Sequence, residues 1–438
     1  MSKVRDAATV VLVRGDRDPE VYWVRRSPKL KFLGGFHGFP GGAMERSDAS
    51  VEAAAVRELH EEADVRIDVS ALEPAGRWLT PPFGPIRFDT RFYVAPMPDG
   101  AVAHVAAGGE LESGEWIRPA DAIEKWRRGE ALLAPPTLHA LRCLADGWEG
   151  LVARMTAVPE ASRGEVTRIE FLRGVFVLPQ RTPTLPPATH TNTVVFAGER
   201  AIVIDPATPH ADERARLDSP LAALAAEGVE IAELVLTHHH ADHVGYAEDL
   251  GRRLGVPVRA HAETRARLGF GLGRAIEDGE TWDLGGSPRR RVRAVFTPGH
   301  LAFVEEETGS LAAGDLVAGA SFIVVDPDDG GDMAAYVASL RRSRDVGARL
   351  LVPAHGPVSA DPAAKLDEYV AHRLEREAKV LAAVRAGAAT LEAILAGAYD
   401  DTPREMWPIA SLSLRAHLDK LASEGIVSAD AGRYRATA

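Results

Sequence analysis

Residues 234–243 read Leu-Val-Leu-Thr-His-His-His-Ala-Asp-His, an apolar run followed at once by a cluster of metal-binding residue types. The apolar run at 234–237 is typical of a buried strand. Imidazole and carboxylate groups together suit zinc or a similar divalent ion, and such crowding is costly unless a metal is bound. A strand end followed by a tight loop can direct these side chains at two adjacent points. The stretch therefore predicts two neighbouring metal sites at the end of a strand.

Three later segments repeat this arrangement of an apolar run, a turn residue and one residue of a metal-binding type. They are Thr297-Pro298-Gly299-His300 after the run at 292–296, Gly314-Asp315 after the run at 311–313, and Pro353-Ala354-His355-Gly356 after the run at 350–352. Because loops at one end of a sheet sandwich lie side by side, we expect these residues to point at one place. Four segments that agree make unrelated, scattered histidines a poor explanation.

In order, spacing and flanking glycines, the complete set resembles the metallo-β-lactamase superfamily. The resemblance implies an αββα sandwich with two metal ions, expected to be zinc or else manganese or iron. It implies that the first metal is held by His238, His240 and His300, the second by Asp242, His243 and His355, and that Asp315 bridges both. Asp205, which ends the apolar run at 201–204, fits the family pattern behind the site. His239 lies between two ligands and is expected to turn away from the metals.

A second motif lies in the first third of the chain, where Gly38-Phe39-Pro40-Gly41-Gly42 precedes a predicted helix from about Val51 to Ala63. Ser50 or Asp48 is a candidate for its N-cap. Three glutamates at positions i, i+3 and i+4 gather their carboxylates on one helix face, and these are Glu58, Glu61 and Glu62. Mg²⁺ or Mn²⁺ would relieve their mutual repulsion and could bind a substrate diphosphate. An ordinary solvated acidic helix face is the alternative explanation.

With Arg57 before Glu58, this stretch resembles the Nudix hydrolase box, and its surroundings resemble the coenzyme A and acyl-CoA diphosphatase branch of that family. The resemblance implies an α/β/α sandwich, with Glu61 catalytic and with Mg²⁺ or Mn²⁺ held by Glu58, Glu61 and Glu62. Two positions depart from the usual box. Ala49 stands where a glutamate usually lies eight residues before the arginine, and Asp64 stands where a glycine usually follows the helix.

The composition is that of a globular protein with more than one domain. The chain has 438 residues, of which 46% are hydrophobic and 26% charged, and its formal net charge is −12. Because an acidic protein is unsuited to general binding of nucleic acid or anionic membranes, neither double-stranded DNA nor a membrane is expected as a partner. With a single cysteine, Cys143, and no signal peptide or long apolar run apparent, we expect a cytoplasmic location.

We predict three domains: a Nudix-like domain at 1–150, a metallo-β-lactamase-like domain at 165–360 and a helical tail at 361–438. In the tail, an amphipathic helix at 412–423 followed by a short hairpin resembles a winged-helix module. Its ten Lys and Arg against twelve Asp and Glu favour packing or a homodimer contact over DNA binding. Arg373 and Arg376 lie three residues apart on one helix, and they are predicted to form a small cationic patch that binds a substrate phosphate.

The predicted activity is hydrolysis by a hydroxide held between two metal ions, with Asp242 orienting this nucleophile or taking its proton. Three interpretations of the substrate stay open. The first is a small-molecule thioester, as in glyoxalase II-like members, where an acyl-CoA could serve both domains. The second is single-stranded RNA, as in β-lactamase-like endoribonucleases. In the third, the Nudix-like domain is a non-catalytic sensor of a nucleotide or coenzyme A derivative attached to an active metallohydrolase.

Overall fold

The first third of the chain forms a seven-stranded mixed sheet in the computed structural model, which describes residues 3–15, 18–84, 86–106 and 108–437. Its strands are β1 (Val4–Arg14), β2 (Glu20–Arg26), β3 (His37–Gly38), β4 (Gly41–Ala43), β5 (Glu73–Leu79), β6 (Arg87–Pro96) and β7 (Leu111–Ile117). They lie in the order β3-β2-β1-β6-β5, while β4 also pairs with β1 and β7 with β2. The central pair, β1 and β6, runs parallel.

Helices cover both faces of this sheet, which explains why β1 is an almost continuous apolar run. The helices are α1 (Val51–Ala63), α2 (Pro119–Arg127), α3 (Pro135–Ala145), α4 (Leu151–Thr156) and α5 (Pro159–Arg163). Val10 of β1 belongs to a core on one face together with Leu59 of α1. Its neighbour Val11 points to the other face and belongs to a core with Trp126 of α2. The predicted α/β/α sandwich is therefore confirmed.

The packing of this first domain continues beyond residue 150, where we had placed its end. Leu151 and Met155 of α4 are buried in the same core as Trp126, and both α4 and α5 pack against β5. These two helices are five or six residues long and carry few apolar side chains, so their sequence gives little sign of which domain they join. The first domain extends to about Arg163 in the structure.

The middle of the chain forms two sheets packed face to face. The first holds β8 (Ile169–Leu172), β9 (Val175–Arg181), β10 (His190–Ala197), β11 (Arg200–Ile204), β12 (Glu230–Val235) and β13 (Val258–Arg259) in reverse chain order. The second holds β14 (Thr281–Gly285), β15 (Arg290–Thr297), β16 (His300–Glu305), β17 (Ser310–Ala312) and β18 (Leu350–Val352) in chain order. Phe196 and Ile202 of the first sheet share one buried core with Val292 and Phe303 of the second.

Helices cover the outer faces of these two sheets, so this second domain is the predicted αββα sandwich. The segment contains α6 (Ala211–Ala226), α7 (Ala241–Val244), α8 (Ala247–Leu254), α9 (Ala262–Arg265) and α10 (Met333–Asp345). Leu217 of α6 and Leu250 of α8 pack on the first sheet, and Leu340 of α10 packs on the second. The predicted metal-binding residues follow strands of both sheets, in loops at one edge of the sandwich.

The tail consists of α11 (Pro362–Arg385), α12 (Leu391–Ala398), α13 (Trp407–Ser423) and an antiparallel hairpin of β19 (Val427–Asp430) and β20 (Arg433–Ala436). The predicted order of helix and hairpin is confirmed. The third helix begins five residues earlier than predicted, because Pro408 lies in its first turn, where proline is tolerated. Leu366 of α11 packs against the second domain, whereas Val380 of the same helix joins the tail's own core.

Within the described residues, the structure contains no helix with the length and apolar character needed to span a bilayer.

Candidate metal centres

Four loops at one edge of the sandwich bring together the predicted ligands of the second domain. The histidine run follows β12, His300 begins β16, and Asp315 and His355 follow β17 and β18. Gly314 has a φ of +54°, and a side chain there would lie about 3.0 Å from Thr237. This glycine therefore allows the Asp315 loop to approach the strand that carries the histidines.

Three imidazoles form the first group of donors. The Nε2 atom of His238 lies 2.8 Å from the Nδ1 atom of His240. The ring of His300 lies against that of His238, with 4.3 Å between the ring centroids. Two nitrogens bound to one tetrahedral zinc ion would be about 3.3 Å apart, given zinc–nitrogen bonds of about 2.0 Å. The observed spacing is close to that of donors directed at one metal.

The second group contains two imidazoles and two carboxylates. Oδ1 of Asp315 lies 3.4 Å from Nε2 of His243 and 3.2 Å from Nε2 of His355. Oδ2 of Asp242 lies 3.5 Å from the same nitrogen of His355. The other oxygen of Asp315, Oδ2, faces the first group and lies 3.9 Å from Nε2 of His238. Asp315 therefore lies between the two groups with one oxygen directed at each.

Two donor atoms at this point show that the site fits a bound cation. Nε2 of His243 and Oδ1 of Asp315 are buried and, among the described residues, make no hydrogen bond, although they face each other at 3.4 Å. A buried polar atom that lacks its hydrogen bond costs about 1–3 kcal/mol, and an ion pair at this distance offsets only part of that cost. A divalent ion that accepts nitrogen and oxygen ligands would satisfy both atoms at once.

A buried carboxylate, Asp205, fixes the orientation of the histidines from behind. Nδ1 of His243 donates to Oδ2 of Asp205 at 2.8 Å, so the opposite nitrogen faces the centre. The same carboxylate accepts the backbone N–H of Thr237 at 2.7 Å and its hydroxyl at 2.6 Å. That hydroxyl in turn lies 3.0 Å from Nδ1 of His238. Asp205 thus fixes the orientation of the His243 and His238 rings, so that their opposite nitrogens can bind a metal.

Asp329, in the short turn Pro327–Asp329, holds a third imidazole. Its Oδ2 accepts from Nε2 of His240 at 3.0 Å, which leaves Nδ1 of that ring directed at His238. The same oxygen lies 3.3 Å from Nε2 of His239, and its partner oxygen is ion-paired with Arg267. His239 therefore turns away from the donors, and its partners are the residues that orient His240.

The protonation of the donors follows from burial and from their neighbours. Burial lowers the pKa of His238 well below its usual value and lowers that of His300 to about 4, so both rings stay neutral. Burial also opposes a charge on His243, but the carboxylates of Asp315 and Asp205 together outweigh it and raise the pKa of His243. In Asp315, His243 and His355 outweigh the effect of burial and hold its pKa well below the usual range. Positive charge is thus stabilised where His243, His355 and Asp315 meet.

The two arginines predicted to bind a substrate phosphate have other partners. Arg373 is only 6% exposed, and its Nη2 donates to the carbonyl of Ile323 at 2.6 Å. Arg376 pairs with Asp401 at 2.8 Å and donates to the carbonyl of Ala398. The predicted open cationic patch is therefore wrong, because Arg373 is used in packing the tail against the second domain and Arg376 is used in contacts within the tail.

Three tail residues instead hold the segment that delivers Asp329. Arg373 binds the carbonyl of Ile323, and the hydroxyl of Ser413 accepts the backbone N–H of Val325 at 3.2 Å. Arg415 forms two hydrogen bonds of 2.6 Å with the carboxylate of Asp328. The tail therefore contacts the metal centre indirectly, through the turn that orients His240.

In the first domain, the helix that carries the three glutamates begins and ends as a well-capped helix. Ser50 is the N-cap, and its hydroxyl accepts the N–H of Ala53. Oε2 of Glu62 accepts the backbone N–H of Gly41 at 2.7 Å, which fixes the glycine loop against the helix. A Cβ at Gly42 would lie too close to Oε1 of Glu58, so a larger residue there would push the Glu58 carboxylate from its place beside the glycine loop. The predicted glycine loop and acidic helix face are therefore in direct contact.

The two departures from the Nudix pattern are compensated locally. Asp48, one residue before Ala49, binds Arg57 with Nε–Oδ1 and Nη2–Oδ2 distances of 3.0 Å each. Arg57 also donates to Glu58 at 3.0 Å and to Glu61 at 2.9 Å, so it neutralises part of their repulsion. Asp64 adopts the left-handed conformation with a φ of +54° and caps the helix as a glycine would.

Comparison with known proteins agrees with this arrangement of domains. Family models match residues 3–135 as a NUDIX domain, 186–355 as the Metallo-beta-lactamase superfamily, and 390–435 as a Beta-lactamase associated winged helix domain. Among curated proteins, the chain is 31% identical over 298 residues to a "Lactamase-like protein adaB" of Aspergillus niger. That match covers 63% of this chain and 86% of the relative.

Two further proteins are similar to part of this chain. A "Beta-lactamase-like protein 2 homolog" of Drosophila melanogaster is 29% identical over 260 residues, covering 54% of this chain and 83% of the relative. Among solved structures, a metallo-beta-lactamase family protein from Thermus thermophilus is 25% identical with a TM-score of 0.50. It covers 61% of this chain and 99% of its own.

Replacing the carboxylate between the two donor groups should affect both. We expect Asp315→Ala to lower the content of transition metal in the second domain at both positions, because one oxygen faces each group. Elemental analysis of protein purified without chelator measures this, with about two ions expected in the unchanged domain. Wild-type protein that carries no transition metal would contradict the assignment.

Removing the carboxylate behind His240 should weaken metal binding without touching a ligand. We expect Asp329→Asn to lower affinity by about 10–100-fold, as is usual when the hydrogen-bond partner of a ligating histidine is lost. The matched control is Asp283→Asn, which removes a carboxylate from an exposed ion pair with Arg289 and keeps both the contact to His240 and the segment that the tail holds. Titration of the metal-free proteins with Zn²⁺ measures both, and an equal loss in the two variants would count against orientation by Asp329.

Cation binding in the first domain should depend on pH. Burial raises the pKa of Glu62 from 4.5 to about 7. Since a protonated carboxyl is a poor ligand, affinity for Mn²⁺ should rise as pH increases through about 7. In metal-free protein the folded state keeps, between about pH 4.5 and 7, a proton that the unfolded state has released, so the stability contributed by Glu62 falls across this interval and is constant above it. Mn²⁺ titration at about pH 6 and about pH 8 should show the difference, and Glu62→Gln should remove it.

Proposed function

Because the chain belongs to the metallo-β-lactamase superfamily, we propose that this metal-dependent hydrolase cleaves a thioester of a small molecule with its second domain. The observation that carries the proposal is the position of Asp315, whose two oxygens face two complete groups of donors. Such a pair of sites is suited to attack by water on a carbonyl carbon. Its ligands would be His238, His240 and His300 on one side, Asp242, His243 and His355 on the other, and Asp315 between them.

Two divalent cations bound there, which we expect to be Zn²⁺ or else Mn²⁺ or Fe²⁺, would lower the pKa of water and stabilise charge on the substrate oxygen. The chain's own residues position these reactants. Asp205 and Asp329 hold three imidazoles by their outer nitrogens, so the donors need little rearrangement. Asp242 lies at the edge of the second group, 3.5 Å from His355, and its carboxylate is placed to orient the attacking water and take its proton.

Electrostatics favour a substrate that is uncharged at the bond to be cleaved. Arg267, close to the centre, is already paired with Asp329, and Arg181 is paired with Asp212 and Glu213. Arg373 is bound to the carbonyl of Ile323 in the second domain, and Arg376 is paired with Asp401 within the tail. A single-stranded RNA would need cations along its phosphates. These pairings support a thioester over the phosphodiester of RNA.

For the first domain we propose Mg²⁺- or Mn²⁺-dependent binding and hydrolysis of a diphosphate such as that of coenzyme A or a nucleotide. Glu58 and Glu62 are half-buried against the glycine loop and are suited to hold the cation. Glu61 is the most exposed of the three, and it is placed to accept a proton from water. The contact of Asp48 with Arg57 supports an active box rather than a sensor that only binds.

An assay of purified protein on a panel of substrates tests these proposals. We expect acyl-CoA to lose its thioester in a reaction that chelators stop, and Asp315→Ala to lose this reaction. Coenzyme A and nucleoside diphosphate derivatives should be cleaved only with added Mg²⁺ or Mn²⁺, and Glu61→Gln should lose that cleavage. Single-stranded RNA should stay intact. Cleavage of RNA with no reaction on any thioester would overturn the proposed bond.

A further inference from the structure

We propose that one cavity between the first and second domains holds a single amphipathic ligand, whose diphosphate lies at the glutamates and whose apolar arm extends towards the His355 loop. This deepens the proposed function and rests on it, because the ligand would be the acyl thioester of a nucleotide-type carrier. The cavity has a volume of about 1540 Å³. That exceeds the roughly 300–1,000 Å³ of an ordinary small-molecule site and suits a long ligand.

One end of the cavity is built for phosphates. Glu58, Glu61 and Glu62 line it beside the glycine loop, so a bound cation would face the interior. Arg5, Arg26 and Lys31 line the cavity as well. Cations of this kind complement phosphate groups that the divalent ion does not neutralise. The mixture of carboxylates for a metal and basic side chains for oxygen anions favours a carrier with more than one phosphate.

The remaining walls are mainly apolar and come from both domains. Aromatic and aliphatic side chains line them, among which are Phe32, Trp78, Phe83, Phe171, Phe322 and Val358. Burial of an apolar arm on such walls is favourable by about 25 cal/mol for each Å² removed from water. A diphosphate alone would leave these walls unused, whereas an acyl chain joined to the diphosphate by a flexible arm would cover them.

The far wall lies against the loop that carries His355, although none of the metal ligands predicted in the second domain is among the described residues that line the cavity. His190 and Gly356 line the cavity, and the carbonyl of His190 accepts Nδ1–H of His355 at 3.1 Å. Asn192, also in the wall, donates to the carbonyls of Pro353 and Gly356 at 2.8 and 2.9 Å. The residues that touch the ligand's arm would therefore be those that hold the His355 loop. This is the route by which a thioester could reach the second centre while its carrier stays in the first domain.

The cavity is a fixed part of the interface between the domains. Trp126 of the first domain donates from Nε1 to the carbonyl of Phe171 at 3.1 Å, and the N–H of Leu133 binds the same carbonyl at 3.1 Å. The ring of Phe83 meets that of His190 at 5.7 Å between centroids. Since polar and aromatic contacts join the two walls, both domains present one surface to a ligand.

A cavity-filling substitution provides the test. A Cβ added at Gly38, in the cavity wall, would meet no atom within 4 Å, so the side chain of Gly38→Leu starts in open space and should occupy part of the cavity. The matched control is Gly271→Leu, at an exposed glycine outside the cavity with the same open surroundings. The probe is a thioether analogue of a long-chain acyl-CoA with a methylene group in place of the bridging oxygen of its diphosphate, so that neither domain can hydrolyse it, and calorimetry with Mg²⁺ measures its binding.

We expect wild type and Gly271→Leu to bind the thioether equally and Gly38→Leu to bind it at least about tenfold more weakly, the effect of a misfit in an apolar pocket. Equal binding by all three proteins, or no binding by wild type, would overturn the shared cavity. Measurements of hydrolysis distinguish a failure of the cavity proposal from a failure of the proposed function. If wild type binds the thioether but does not cleave acyl-CoA, the thioesterase proposal fails alone. If it cleaves acyl-CoA and the acyl-pantetheine thioester equally well, and Gly38→Leu leaves both unchanged, the cavity proposal fails alone.

Discussion

The buried carboxylate of Asp315 is the constraint on which the centre of the second domain depends. It lies among imidazoles that burial keeps neutral, such as His238 and His300, and beside His243, which its own charge tends to protonate. Such a carboxylate is costly in a protein interior unless positive charge surrounds it. That positive charge is placed at one point by the two sheets, by the glycine before Asp315 and by the turn that carries Asp329.

The sequence predicted the donors of this centre because they follow a local rule. Each follows an apolar strand at the same edge of the sandwich, and a reader of the sequence can see both the strand and the residue after it. Asp205 was found in the same way, at the end of β11. Asp329 was missed, since the contact that matters joins it to His240 across 89 residues and no periodicity connects the two. The acidic sequence Asp326-Pro327-Asp328-Asp329 was visible, but it reads equally well as an exposed turn.

The first domain and the tail show two other limits of prediction. At position 49 the chain has an alanine where the usual Nudix box has a glutamate. The structure instead places Asp48, from the preceding position, against Arg57. Spacing correctly placed Arg373 and Arg376 on one helix, but spacing does not show whether a face is open to solvent. Both side chains are engaged in tertiary packing, which only the folded structure reveals. Residues 151–163 were assigned to neither domain for the same reason, because their few apolar side chains find partners only in the first core.

The contacts of the tail with residues 323–328 show that a domain defined by sequence comparison differs here from a unit that folds together. The family model of the central region ends at residue 355, yet Arg373, Ser413 and Arg415 lie beyond that limit and hold the segment that leads to Asp329. The stretch that sequence comparison treats as one heritable module is therefore smaller than the stretch that must fold together. If the central region were exchanged between relatives, the matching tail would have to be transferred with it. Without that tail, the segment that carries Asp329 would no longer be held, and His240 would lose the carboxylate that orients it.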